Sequence, residues 1–515
     1  MTADGKSSVT DSFDNFTDTI FAHAASRPKA IALADDYTRL TWKQLADLVG
    51  RASVWLNSLG IAPGEPVGVR MTNSIDHIIL SLALMRVGAA KVEFSTSEVG
   101  RKFDGMIETL KIRTLFIEPP ARSLGALRCI SIGLDWRAGL SAFKGDHRHP
   151  PGFEPFDIAL SSGSTGQPKG YALSHQQQLR RMRDYLEALG AVDIFSNDGT
   201  GNFLLTSSMS FGGFLYTLMN RLGNGGRVTV LPEYVKLMDF VRAVGAQDDA
   251  VLILTSAMCE DLVSCAPEDG MLFPKVRAIL SLGTPLAARA KRDMITRVSP
   301  RFSEAYGGSS FGLVSVLHPE DMLDRADSVG RLFAGVEVEI VDGDDRPVAP
   351  GVTGYLRCRG SGVSPHVISE APQGRFEGFR DGWCYTGDLG AIDEGGYVYL
   401  RGRVSEVVRR RGVDVMPTTV ELALMSHPGV REAAVIGLTR EGVSEIIAVI
   451  IPSGKPDAQA FHSHCIDRVG AGQAPGGYLF VKQFPRTSGG KVDRPRLRQQ
   501  IARQVEATAA KRPVI

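Results

Sequence analysis

Ser161-Ser162-Gly163-Ser164-Thr165-Gly166-Gln167-Pro168-Lys169-Gly170 follows directly on the apolar Ile158-Ala159-Leu160. A strand running into small hydroxyl and glycine residues leaves backbone N–H groups free to curl around an anion. Ser161, Ser162, Ser164 and Thr165 add hydroxyl donors and Lys169 adds a movable positive charge, so the segment predicts a polyphosphate cradle rather than an idle surface loop. It is not the common P-loop, in which Ser or Thr follows the Lys; here Gly170 does. Far downstream, Lys491 follows Gly489-Gly490, a pair that lets it project from a loop. Asp388 closes Gly382-Trp383-Cys384-Tyr385-Thr386-Gly387-Asp388 and offers a hydrogen-bond-accepting carboxylate, which alone reads as a turn or cap residue.

Together these segments resemble one family, the acyl-adenylate-forming superfamily of acyl-CoA synthetases, adenylation domains and luciferases. Gly163 to Gly170 is similar to the family's phosphate loop, and Gly382 to Leu389 is similar to its Gly-Trp-x-x-Thr-Gly-Asp-Leu signature. Ser281-Leu282-Gly283-Thr284-Pro285-Leu286 looks like its adenine-side loop, and Tyr306-Gly307-Gly308-Ser309-Ser310 like its Tyr-Gly-x-Thr/Ser-Glu. Gly402-Arg403-Val404-Ser405 resembles the start of its hinge, and Pro485 to Lys491 resembles its catalytic ending, which Arg494 and Leu497 extend. The resemblance runs from about Phe16 to Leu497. It implies that Gly283, Thr284, Pro285, Tyr306, Gly307, Asp388 and Arg403 hold a nucleotide. It also implies that Ser161, Ser162, Gly163, Ser164, Thr165, Gly166, Lys169 and Ser309 meet its phosphates, with Lys491 as the catalytic residue. The implied reaction joins ATP and a small carboxylic acid into an acyl-adenylate and pyrophosphate; the thiol of CoA then displaces AMP.

The chain departs from the family in places. Ser310 stands where a magnesium-holding Glu is expected, and a hydroxyl is a weaker ligand for a hard cation than a carboxylate. Mg2+ is therefore expected to arrive mainly through ATP and water, and no protein ligand is assigned to it. Ser405 takes a hinge position usually held by Asp or Lys, a mild change for a residue that absorbs a backbone rotation. Ser210, Phe211, Gly212 and Gly213, with Met258, are expected to line the acid pocket. Small residues and Met suit an apolar acyl or aryl group of moderate size. Arg409, Arg410, Arg411 and Gly412 follow the hinge and are assigned to the CoA side, a solvated arginine face being the alternative. CoA and a separate acyl carrier protein are both open as acceptors. A non-catalytic nucleotide-binding relative is open too, on the strength of Ser310 and Ser405.

These residues need a frame to hold them. Short apolar runs at Val67–Arg70, Thr114–Ile117, Phe203–Leu205, Val228–Leu231, Val251–Leu254 and Arg277–Ser281 alternate with helical stretches such as Trp42–Leu59, Ile75–Met85 and Leu215–Leu222. That rhythm predicts an α/β fold with parallel strands. After Gly330 the texture changes to alternation broken by Asp-Gly and Pro-Gly turns, predicting a small antiparallel, β-barrel-like region. A helix over Pro417–Met425, strands near Ala433–Ile436 and Glu445–Ile451, and a helix near Ala458–Val469 predict a small mobile α+β tail. The expected domains are 1–404 for ATP and acid binding and 405–515 as a lid.

The 515 residues exceed what one core usually supports, which agrees with more than one domain. Lys and Arg total 58 against 57 Asp and Glu, so net charge supplies no drive toward nucleic acid. The six scattered cysteines without a CxxC pair, the absence of a signal-peptide pattern and of a long apolar run predict a cytoplasmic protein with free thiols and no stable membrane insertion. Monomer and homodimer are both open.

Overall fold

The computed structural model describes residues 13–98, 100–120, 125, 127–149, 155–161, 169–189, 200–232, 236–333, 335–360, 362–364, 367–368, 375–410, 413–440, 443–486 and 491–510. Among them the strands build a nine-stranded sheet, a seven-stranded sheet, a five-stranded sheet and a smaller tail. The nine-stranded sheet runs Arg331–Leu332, Gly312–Leu317, Phe302–Gly308, Ala278–Leu282, Ala250–Leu254, Asn202–Leu205, Arg227–Val230, Ile31–Ala34, Arg39–Thr41. Its interior pairings are parallel and its edges antiparallel. Ala250–Leu254 is buried at every position, as a parallel strand must be when helices cover both faces.

The seven-stranded sheet places Pro155–Ser161 between Ala90–Glu93 and Lys169–Ser174. Lys169–Ser174 returns antiparallel to Pro155–Ser161, with Ser161 opposite Lys169. The predicted phosphate segment thus falls between two antiparallel strands, and residues 162–168 themselves lie outside the described residues. Between the two sheets lies one shared core, containing Leu33, Phe203 and Val251 from the first and Val67, Phe116 and Phe156 from the second. The helix Ile75–Arg86 is buried on nearly every side within it, and Ser74 caps it by accepting from the His77 N–H. Trp42–Ser58 is amphipathic by contrast: Leu45, Val49, Ala52 and Leu56 face inward, and Thr41 with Gln44 forms a capping box at its start.

The antiparallel region expected after Gly330 takes the form of a five-stranded sheet, bulged near Tyr355 and Leu389. From Val408 onward a hairpin, the helices Pro417–Met425 and Ala458–Val469, and a three-stranded sheet enclose an apolar cluster including Val415, Val420, Leu424, Ile446 and Phe461. The helix Arg494–Ala510 packs Leu497 and Ile501 into a second one with Ile436, Val449 and Phe484. The fold is therefore mixed α/β, with a large amino-terminal part of layered sheets and a smaller α+β tail.

Candidate active site

Trp383–Ile392 and Val398–Arg403 pair antiparallel with Asp388 directly opposite Arg403. Arg403 Nε lies 3.0 Å from Asp388 Oδ1, and the Tyr306 phenol donates to Asp388 Oδ2 at 2.6 Å. The Asp388 N–H donates to Thr386 Oγ1 at 3.1 Å, fixing the turn through Gly387, whose φ of +78° favours glycine. Tyr306 is buried, and burial together with the Asp388 charge pushes its phenol well above the usual range. Each Asp388 oxygen keeps lone pairs beyond these contacts, so the carboxylate can still accept from a diol.

Lys491 converges on the same place from the tail. A Cβ built on Gly283, at the end of Ala278–Leu282, would stand 3.6 Å from both Lys491 Cε and Phe211 Cζ. Lys491 as a residue is exposed, yet protein atoms crowd its ammonium. Desolvation, and then the Arg403 charge, push its pKa down to about 8 against the opposing pull of Asp388 and Glu406.

The loop after Gly283 is held from two sides. The Ser256 hydroxyl donates to the Thr284 carbonyl, and the Leu286 N–H donates to Glu304 Oε1 at 2.8 Å. Glu304 is itself buried against Lys291 at 2.5 Å. Phe211 precedes the helix Gly212–Gly223, and a Cβ on Gly212 would come 3.3 Å from Ser309 Oγ. Gly307 has no room for a side chain: its Cβ would fall 2.4 Å from the Gly312 carbonyl oxygen. The Ser309 carbonyl accepts from buried Arg181 at 3.1 Å. Met258, in the first turn of Ser256–Cys265, packs against the apolar clusters on both sides of the nine-stranded sheet.

Ser405 sits in the short turn Val404–Glu406 between the five-stranded sheet and the tail. Arg494 reaches back to Glu406 at 3.3 Å while its fork grips Glu421, each nitrogen 2.7 Å from a carboxylate oxygen. Arg409 is exposed and 3.7 Å from Asp414. Arg410 points inward, donating to the Ala474 carbonyl at 2.8 Å and lying 3.2 Å from Glu445, so in this arrangement its charge is used within the tail. Ser162, Gly163, Ser164, Thr165, Gly166, Arg411 and Gly412 lie outside the described residues, as do the side chains of Ser161 and Lys169.

Lys491, Gly283, Phe211, Ser309, Tyr306, Asp388 and Arg403 are thus brought together in space. The residues present do not fit a protein-held magnesium: Ser310 offers a neutral hydroxyl, Glu304 is committed to Lys291, and no group of three His, Cys, Asp or Glu suited to a metal occurs among the described residues. Asn73, Arg181 and Glu304 support the site and were not expected from the sequence. Asn73 and Arg181 act on carbonyls 134 and 128 positions away, and no local spacing signals such a contact.

The family described as AMP-binding enzyme matches residues 20–366, and its AMP-binding enzyme C-terminal domain matches residues 419–491. Over 503 residues the chain is 24% identical to the fatty acid–[acyl-carrier-protein] ligase ScoC of Streptomyces coeruleorubidus, covering 93% of this chain and 95% of that protein. It is 26% identical over 506 residues to the indoleacetate–CoA ligase of Aromatoleum aromaticum, covering 94% and 97%. The fold is similar, with a TM-score of 0.79 and 19% identity over 93% of this chain and 97% of the other, to o-succinylbenzoate CoA synthetase (MenE) from Bacillus subtilis in complex with its acyl-adenylate intermediate.

Proposed function

The chain belongs to the AMP-binding enzymes, and from that premise we propose that it activates a small carboxylic acid with ATP and passes the acyl group to the thiol of CoA. The observation that carries this reading is the convergence of the Lys491 ammonium, from the tail, with Gly283, Phe211 and the Tyr306–Asp388–Arg403 cluster of the main body. In the first step the acid's carboxylate oxygen attacks the α-phosphorus, the bond to the β-phosphate oxygen breaks, and pyrophosphate leaves. Lys491 draws the two anions together and holds the charge developing on the α-phosphate. Asp388 accepts from the ribose hydroxyls, Arg403 backs it, and the Tyr306 ring lies against the adenine. Ser309 and the segment from Ser161 to Lys169 take the phosphates, while Ser210, Phe211, Gly212, Gly213 and Met258 face the acyl group. Magnesium enters as the ATP chelate, and no step is assigned to a protein-bound ion.

In the second step residues 405–515 rotate about Ser405 and Lys491 leaves the site. The thiol then attacks the acyl carbon and AMP departs. Arg409, Arg411 and Gly412 are assigned to the CoA side of the rotated form, and Arg410 joins them only by giving up Glu445. A separate carrier protein as acceptor is a second reading, favoured by the similarity to a fatty acid–[acyl-carrier-protein] ligase. No helix among the described residues is long and apolar enough to cross a membrane, and we assign the enzyme to the cytoplasm.

The test is release of AMP and pyrophosphate by the purified protein from magnesium-ATP and a panel of aliphatic and aromatic acids, each with and without CoA. The expected result is acid-dependent release that rises with CoA and yields a thioester of the matching mass. Adenylate that forms without CoA turnover selects the carrier-protein reading. Silence across the whole panel contradicts both.

A further inference from the structure

Asn73 lies in the short connection between the strand Pro66–Arg70 and the helix Ile75–Arg86, in the layer of the seven-stranded sheet. Its side-chain amide crosses to the other layer, where the chain leaves the strand Asn202–Leu205 and approaches the helix Gly212–Gly223. Asn73 Nδ2 donates to the Ser207 carbonyl at 2.6 Å, and its Oδ1 accepts from the Met209 N–H at 3.1 Å. One planar amide thereby pairs with two residues of the turn as a neighbouring backbone would. The turn is closed internally by a Ser208–Ser210 hydroxyl contact at 2.9 Å and by the Phe211 N–H donating to the Ser208 carbonyl at 3.1 Å.

The helix that follows is gripped from the same layer. Tyr216 donates its phenol to Asp157 Oδ2 at 2.8 Å, and Asp157 Oδ1 lies 2.9 Å from Lys91 Nζ. Lys91 donates to Glu93 at 2.9 Å, and the His77 ring joins Glu93 at 2.9 Å to the Thr72 carbonyl at 3.1 Å. The path is buried throughout its charged members and ends at the residue before Asn73. Burial of so many ionised groups is tolerated only when each finds partners, and the reward is a fixed geometry. What that geometry holds is the turn bearing Ser210, Phe211 and Gly212, which abuts Ser309 and the Lys491–Gly283 contact.

We infer that Asn73 is a positioning residue for the acid substrate, setting the shape of the acid-binding turn from the neighbouring sheet. The inference rests on the acid-activating reading above and adds to it a determinant outside the pocket itself. Asn73→Asp keeps the size of the side chain and its acceptor for Met209, but sets an oxygen against the Ser207 carbonyl. Asn73→Ala removes both bonds, and Tyr216→Phe loosens only the far grip and stands in should Asn73→Ala fail to fold.

Two readouts are taken together: backbone hydrogen exchange of residues 207–211, and the KM for acid measured beside the KM for ATP. The expected result is faster exchange in Asn73→Asp, with KM for acid raised about tenfold while KM for ATP moves less than about twofold. Unchanged exchange in Asn73→Asp overturns the inference. So does faster exchange with the two KM values moving in parallel, which is what a purely structural role gives. Failure of the acid-activating reading appears in the wild type, as no acid-dependent AMP release, whereas failure of the Asn73 inference appears only in the variants.

Discussion

Lys491 carries a charge that its surroundings make easy to lose. Desolvation and Arg403 hold its pKa at about 8, well below that of an ordinary lysine. The working form is the ammonium, so it is fully present below that value and disappears as pH rises through it. kcat/KM for acid-dependent pyrophosphate release should therefore fall above about pH 8, roughly tenfold per unit, because kcat/KM reports groups of the free enzyme. A profile flat up to about pH 10 would contradict this assignment. Asp388, Arg403, Tyr306 and Lys491 could be singled out in the sequence because each sits in a short run that resembles a family motif, and the structure brings them near one another. Asn73, Arg181 and Glu304 were not, since an Asn before a helix or an Arg within one reads as an ordinary cap or surface residue. Their work is done on backbone atoms that only the fold brings near. Arg410 gave the opposite difficulty: a basic run looks free in sequence, and only the structure shows it committed to Glu445 and Ala474.

Among the elements that present these residues, Pro417–Met425 and Arg494–Ala510 are tied by an ion pair between Glu421 and Arg494. Glu421 accepts from the Val435 N–H at 2.6 Å and from both Arg494 nitrogens, and Arg494 begins the helix that follows Lys491. Glu421→Ala would leave the guanidinium and the Val435 N–H without that partner. The expected cost is about 3 kcal/mol of tail stability, read as an earlier thermal transition together with weaker adenylation as the Lys491 loop loosens. An unchanged melting profile would contradict the role given to this pair. Periodicity located Pro417–Met425 and Ala458–Val469 at their observed limits, because both are short, well-bounded helices. It did not single out His175–Leu189 or Arg494–Ala510, whose polar residues dilute the apolar face. Nor did it foresee the antiparallel return of Lys169–Ser174 against Pro155–Ser161, a pairing choice with no local mark.

At the scale of the whole molecule, two sheets share one core, while the tail has a core of its own and brings Lys491 beside Gly283. That division matches a two-step reaction in which one loop serves the first step and must withdraw for the second. The sequence carried this organisation through its change of texture after Gly330 and its motif order, but not the contacts that assemble the site, which join residues from distant parts of the chain. The most direct test is Lys491→Ala assayed in each half-reaction separately. With ATP and acid, adenylate formation should fall by a hundredfold or more; with pre-formed acyl-adenylate and CoA, thioester formation should stay near the wild-type rate. Equal loss in both halves, or full adenylation without Lys491, would contradict the account.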